Sequence, residues 1–197
     1  GNDAQQMILY VSQYIRYTFR DNSSLVPLQT ELNQVQNYYK LQKLNTRDSS
    51  ELTISADPAV SKFPVPMLCI QTFVENSFKH GRISSQPLNV HISVQLTETE
   101  EGNYLNISIQ DNGTGFPDEF LQSFLQHTED AVTGQHIGIH NLRQRLTLLY
   151  GDQAGLICMN NSSGALTEII LPIQEEPNTS SETKSSLLSN ENLFSLS

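Results

Sequence analysis

Val74-Glu75-Asn76-Ser77-Phe78-Lys79-His80-Gly81, followed thirty residues later by Asp111-Asn112-Gly113-Thr114-Gly115, decides the reading of this chain. On a helix, at roughly 100° per residue, Glu75, Asn76, Lys79 and His80 fall on one arc. Met67, Ile70, Phe73, Val74, Ser77 and Phe78 take the other side. One side is expected to pack on a sheet, while the other presents amide, carboxylate, ammonium and imidazole together. Alone, such a face is a solvated surface with a Glu75–Lys79 pair at i,i+4. The second stretch changes that, because an alternating strand there runs into a glycine-rich loop.

The surroundings supply the sheet. In 89–96, Val90, Ile92, Val94 and Leu96 alternate with His91, Ser93 and Gln95. Leu105, Ile107 and Ile109 repeat the pattern after an acidic turn at 97–103, so the pair reads as an antiparallel hairpin. Residues 51–56 read as a further strand, and Pro64 and Pro66 precede a helix of about 67–80. A short helix follows Pro117 and Asp118, then a loop over 127–137. A helix at 138–150 is marked by Ile139, Leu142, Leu146 and Leu149, and two last strands, 155–159 and 166–171, flank an Asn160–Gly164 turn. The fold class expected is α+β: a two-layer α/β sandwich with helices on one face of a mostly antiparallel mixed sheet.

Ahead of it stand two amphipathic helices, 3–20 with Ile8, Val11 and Ile15 in one seam, and 28–46 with Leu28, Leu32, Val35 and Tyr39. Pro27 suits the first turn of the second. A helical hairpin or part of a bundle is expected. From Gln174 onward the chain is rich in Ser, Asn, Glu and Thr, which predicts a tail with little intrinsic order. Three regions result: 1–46, 47–173 and 174–197.

Composition narrows the function. Eleven basic residues against 21 acidic ones, a net charge of -10, exclude general affinity for nucleic acid, which needs concentrated Lys and Arg. Cys69 and Cys158 stand far apart in apolar surroundings and read as buried, reduced thiols. No apolar run approaches the ~20 residues that span a bilayer, and no signal peptide opens the chain. A soluble, cytosolic piece of a longer protein is expected.

The chemistry lies in three places. Asp111, at a strand end, can accept a hydrogen bond from the exocyclic amine of adenine; guanine would set a carbonyl against the buried charge. Gly113 and Gly115 remove side chains where ligand and backbone must approach closely. In Thr133-Gly134-Gln135-His136-Ile137-Gly138-Ile139-His140-Asn141-Leu142-Arg143, two glycines frame a segment that flows into a helix. The first amides of that helix can hold phosphate oxygens. Arg143 and Arg145 offer charge either for phosphate or for surface acids. No Gly-Lys-Ser/Thr of a Walker loop is present.

In this order the three elements resemble the N, G1 and G2 boxes of the GHKL ATPase superfamily. Finer details are similar to sensor histidine kinases of the YesM/LytS type: Pro27-Leu28-x-x-Glu31-Leu32, Tyr38-x-x-Leu41-Gln42-Lys43-Leu44, Pro64-x-Pro66, Val74-Glu75-Asn76-x-x-Lys79-His80-Gly81 and Leu148-Leu149-Tyr150-Gly151. The resemblance covers residues 8–172 and implies a Bergerat-type ATP-binding fold. It implies Asn76 as the magnesium ligand, Glu75 as the acid that polarises the attacking group, and Lys79 and His80 at the phosphates. Asp111 would meet adenine; Gly113, Gly115, Gly134, Ile137 and Gly138 would shape pocket and lid, with Arg143 beside them. The implied activity is transfer of the ATP γ-phosphoryl to a histidine, and thence to a response-regulator aspartate, in a homodimer anchored in the membrane.

Two departures stand out. His136 replaces the usual second glycine of the G2 box. The phosphoacceptor histidine of the family belongs to a helix ahead of 3–20, and none of His80, His91, His127, His136 or His140 lies there. Two other readings remain: an ATP-hydrolysing enzyme of another branch of the superfamily, and a non-catalytic dimerisation module.

Overall fold

The strongest period-two signal becomes the centre of the molecule. A computed structural model describes residues 2–18, 25–46, 49–83, 86–126 and 136–173. Its helices are α1 (Asn2–Thr18), α2 (Leu28–Thr46), α3 (Gln71–His80), α4 (Asp118–Gln126) and α5 (Ile137–Tyr150). Its strands are β1 (Leu25–Pro27), β2 (Glu51–Ala56), β3 (Pro64–Pro66), β4 (Asn89–Thr99), β5 (Gly102–Asp111), β6 (Gly155–Asn160) and β7 (Ala165–Pro172). The 127–135 loop and the 174–197 tail lie outside the described residues.

Five strands form one sheet in the order β2-β4-β5-β7-β6. Only β2 and β4 run parallel; the other neighbours are antiparallel. In the β4–β5 hairpin Ile92 faces Ile109 and Val94 faces Ile107, and all four are buried. Each such side chain contributes roughly 1.5–3 kcal/mol on burial, and a one-residue slip would turn every one of them to solvent. The register is therefore fixed by the alternation itself. Phe73, Val74 and Phe78 of α3 and Ile139, Leu142 and Leu146 of α5 share that core. The two-layer sandwich with a mixed, mostly antiparallel sheet is the fold expected from sequence.

The helical region differs in detail. Leu28, Leu32, Val35 and Tyr38 of α2 are buried in the same core as the sheet, and Tyr38 meets Phe78 edge-on at 6.0 Å. The seam expected to serve a bundle thus also packs on α3. Pro27 does not start α2: it ends β1, which pairs with β3 through Leu25↔Pro66, Val26↔Val65 and Pro27↔Pro64. Prolines are tolerated here because a two-stranded ribbon leaves half of its N–H groups unused. The helix expected from 67 starts only at Gln71, because Leu68 takes a left-handed backbone with φ 65°. On α1, Ile8 and Ile15 remain exposed while Tyr17 is buried. No helix among the described residues is long and apolar enough to cross a membrane.

Candidate nucleotide-binding site

Asp111 closes β5 with the same parity as Ile107 and Ile109, so the pleat turns it inward and leaves it 4% exposed. A buried carboxylate is costly unless its oxygens are met by donors. Three donors meet it. The Ser77 hydroxyl of α3 donates to Oδ2 at 2.5 Å. The backbone N–H groups of Gly113 and Ala165 donate to Oδ1 at 2.9 and 3.1 Å. The carboxylate is thereby locked to α3, to its own loop and to the start of β7.

The two sequence motifs touch directly. Thr114 donates its backbone N–H to the Gly81 carbonyl at 3.1 Å and its hydroxyl to the His80 carbonyl at 3.1 Å. Gly113 lies so close that an added Cβ would stand 2.2 Å from the Gly81 oxygen. Gly115 takes φ +78° beside Asn160, whose side chain clamps Phe116 by accepting from its N–H and donating to its carbonyl.

Between them lies a cavity of about 100 Å³ lined by Phe73, Asn76, Ser77 and His80 of α3, Asp111, and the loop from Thr114 to Pro117. Ile109 and Thr167, neighbours across β5 and β7, lie under it. Its walls combine apolar rings with one fixed carboxylate, one amide and the imidazoles of His80 and His136, a combination suited to a flat heteroaromatic ligand bearing a donor edge.

The stripe on α3 that lines this cavity is Phe73, Asn76, Ser77 and His80, at i, i+3, i+4 and i+7. Helical periodicity alone puts Glu75, Asn76, Lys79 and His80 on one face, with Phe73 and Ser77 opposite. The cavity sits on the border between core and solvent, so its helix face borrows half of the apolar side. Glu75 instead accepts from Gln71 Nε2 at 3.0 Å and pairs with Lys79 at 2.8 Å. Asn76, His80, Asp111 and Gly115 are brought together; Gly113 stands behind them as support for Asp111.

Other expected residues lie apart. Ile137 is 47% exposed. Gly138 packs the start of α5 on α3, where a Cβ would meet Thr72 at 3.1 Å. Arg143 stacks its guanidinium 3.4 Å from the Phe124 ring centroid and donates to the Phe124 carbonyl at 2.7 Å. It lines a second cavity between α4, α5 and β6. Gly134 lies outside the described residues.

Three further residues take part, two of them with no role assigned from sequence and the third, His136, known from sequence only as the departure in the G2 box. Ser77 falls with the core by periodicity, although its spacing of four from Phe73 and three from His80 sets it on the cavity stripe. Gly164 backs Asp111, where a Cβ would meet the Asp111 carbonyl oxygen at 2.6 Å; only the turn at 160–164 hinted at it. His136 lines the cavity and stacks on Phe120 at 4.2 Å. Burial, and then the nearby His80, push its imidazole below its ordinary value.

Cys69 and Cys158 are free and buried, as expected from sequence. Burial raises both thiols, Cys158 to about 12.

A two-layer sandwich whose buried strand-end aspartate shares a cavity with an asparagine-bearing helix defines the class of Bergerat-type ATP-binding domains. The chain belongs to the family of histidine kinase-, DNA gyrase B- and HSP90-like ATPases, whose model matches residues 65–177. A histidine kinase model matches residues 1–50. An uncharacterized sensor-like histidine kinase of Staphylococcus epidermidis is 32% identical over 172 residues, 86% of this chain and 33% of that protein. The sensor protein LytS of Oceanobacillus iheyensis is 30% identical over 174 residues, covering 86% of this chain and 29% of the relative. The chain therefore spans about a third of the length of these curated relatives. Among solved structures, the catalytic domain of histidine kinase ThkA superposes with a TM-score of 0.55 at 12% identity, covering 78% of this chain and 98% of that one. The histidine kinase domain of a blue-light activated kinase from Erythrobacter litoralis gives 0.52 at 16% identity, covering 87% and 75%.

Proposed function

We propose that this chain is the ATP-binding catalytic portion of a two-component sensor histidine kinase. The observation that carries the reading is the shared cavity: Asn76 and Asp111, thirty-five positions apart in sequence, line one opening with His80 and Gly115. Asp111 is held by its three donors with its ring-facing edge fixed, so an adenine amine meets an acceptor that need not reorganise. Asn76 and His80 continue the same helix face toward the phosphates.

Asn76 would hold magnesium, which would supply positive charge against the triphosphate. Among the described residues no three His, Cys, Asp or Glu side chains gather as a metal cage. One amide plus ligand oxygens and water suits magnesium, which keeps much of its hydration. Glu75 lies one residue from Asn76 and would polarise the attacking group. Lys79, 54% exposed at its side chain and tied only at the surface to Glu75, is free to swing to phosphate at small cost.

The γ-phosphoryl would pass in line to a histidine on a helix preceding α1, and from there to an aspartate of a response regulator. Positioning and charge neutralisation supply most of the catalysis. Exposed Ile8 and Ile15 on α1 suit a homodimer formed through the helical region, with the sensor portion of the longer protein anchored in the membrane.

Titration calorimetry of this chain with Mg-ATP tests the reading. Micromolar-to-millimolar binding, weakened without magnesium and in Asp111→Asn, is expected. No binding by the folded chain would overturn it. Radiolabelled ATP should leave this chain unlabelled and should label a version extended upstream through the acceptor helix.

A further inference from the structure

Glu31 of α2 is a charged residue that is 0% exposed, and the nucleotide chemistry does not use it. Its Oε1 accepts from the backbone N–H groups of Ile70 and Gln71, both at 3.1 Å. Its Oε2 accepts from the Leu68 N–H at 3.0 Å and from the Tyr17 hydroxyl of α1. Ile70 is the N-cap of α3 and Gln71 its first residue, and the Ile70 side chain makes no capping bond of its own. The orphan amides of that helix are therefore capped by a carboxylate about forty residues away in sequence, on another helix. Anionic charge is also what a helix N-terminus favours.

A second observation points the same way. Leu68, whose N–H is one of the four donors, has φ 65°. A bulky residue does not hold a left-handed backbone without surrounding structure that imposes it. Glu31 supplies that constraint, and the strained turn sets where α3 begins. Burial raises the Glu31 carboxyl, while the Tyr17 hydroxyl and then the backbone donors oppose the rise.

We infer that Glu31 is a positioning residue for the nucleotide site: by fixing the first turn of α3 to α2, and through Tyr17 to α1, it sets the orientation of Asn76 and His80. The inference rests on the function proposed above. Asn76 lies five residues beyond Gln71, little more than one helical turn, so a tilt of the capped end is carried directly to the amide. The helical region and the ATP site thereby share one hydrogen-bonded junction, and a shift of α1 or α2 alters nucleotide affinity by the same factor as nucleotide alters that shift.

The test compares Glu31→Gln, Tyr17→Phe and Leu32→Ala in the 197-residue chain, by calorimetry with Mg-ATP and by thermal unfolding. Leu32 is an adjacent buried residue of α2 that makes none of these bonds, and its truncation lowers the melting temperature without uncapping α3. Glu31→Gln, with one acceptor oxygen instead of two, is expected to weaken Mg-ATP binding by about fivefold or more, a typical coupling factor. Leu32→Ala is expected to bind as the parent does. Amide spectra of labelled parent protein should show Ile70 and Gln71 moving on Mg-ATP addition, and Tyr17→Phe should reduce that movement. Parental affinity in Glu31→Gln, or an equal loss in Leu32→Ala, overturns the positioning role while leaving the site intact. Absence of Mg-ATP binding by the parent chain overturns the functional reading, and this inference with it.

Discussion

The Ser77 hydroxyl donates to the Asp111 carboxylate at 2.5 Å, tying the helix of the first motif to the strand end of the second. This bond joins the two halves of the site without any ligand. A hydrogen bond to a charged group contributes roughly 1.5–3 kcal/mol, so the cavity wall is organised before nucleotide arrives. Asp111 is thus a structural residue, and under the proposed function a recognition residue as well; the two roles can be separated.

Asp111→Asn separates them. The new amide can keep its oxygen toward the Gly113 and Ala165 N–H groups and donate to Ser77 Oγ, which then accepts. Folding is expected to lose about 1–2 kcal/mol, measured by urea denaturation. Toward the ligand, however, an amide nitrogen now faces the adenine amine, donor against donor. ATP affinity should fall at least about tenfold, the equivalent of ~1.4 kcal/mol, and preference over GTP should shrink. Equal binding of ATP by parent and variant would remove Asp111 from base recognition.

The two alternating strands were legible because their apolar residues repeat every second position and bury one face. The same parity, extended two residues past Ile109, already placed Asp111 inward. What was not legible has a common physical origin, contacts between segments distant in sequence. Ser77 looks like core until Asp111 is seen opposite it. Glu31 looks like an ordinary surface acid of an amphipathic helix until the amides of α3 appear beside it. The late start of α3 depends on the left-handed turn at Leu68, a conformation no propensity assigns to leucine. Arg143 carries the charge expected near phosphate, yet it spends its guanidinium on the ring and carbonyl of Phe124.

Gly113→Ala is expected to damage the site through backbone contact. Its Cβ would stand 2.2 Å from the Gly81 oxygen and 2.8 Å from Gly81 Cα, atoms that no side-chain rotation can move. The loop must lift off α3, breaking the Thr114–Gly81 bond, at roughly 1–3 kcal/mol or more. Gly102→Ala is the control: it has φ +138° with nothing within 4 Å, so it strains the β4–β5 turn without touching the cavity. Both should lower the urea midpoint, but only Gly113→Ala should also weaken ATP binding in calorimetry.

Lys79→Ala and Arg143→Ala should differ in kind. Lys79 is an exposed i,i+4 partner of Glu75, worth about 0.2–0.5 kcal/mol. Its removal should leave the melting curve almost unchanged while weakening Mg-ATP binding severalfold. Arg143→Ala should do the reverse. Losing the stack on Phe124 and the bond to its carbonyl should cost about 1–2 kcal/mol, with affinity unaltered. A loss of affinity in Arg143→Ala would return that residue to the phosphates.

The pH dependence of stability follows from His136. Burial, and then the proximity of His80, hold its imidazole below the ordinary value of 6.5 in the folded chain, whereas unfolding restores that value. Between the two values the unfolded chain binds more protons, so stability rises with pH across that window. The contribution is fully present above pH 6.5 and is lost as pH falls through the folded value, when protonation sets a charge in a part-buried place beside His80. Melting temperature measured from neutral to mildly acidic pH should therefore decline, and His136→Phe should remove this part of the decline while retaining an aromatic ring against Phe120. Nucleotide affinity should follow the same profile if the ring covers the bound base. An unchanged acid slope in His136→Phe would show that His136 binds its proton alike in the folded and unfolded chain and contributes nothing to this dependence.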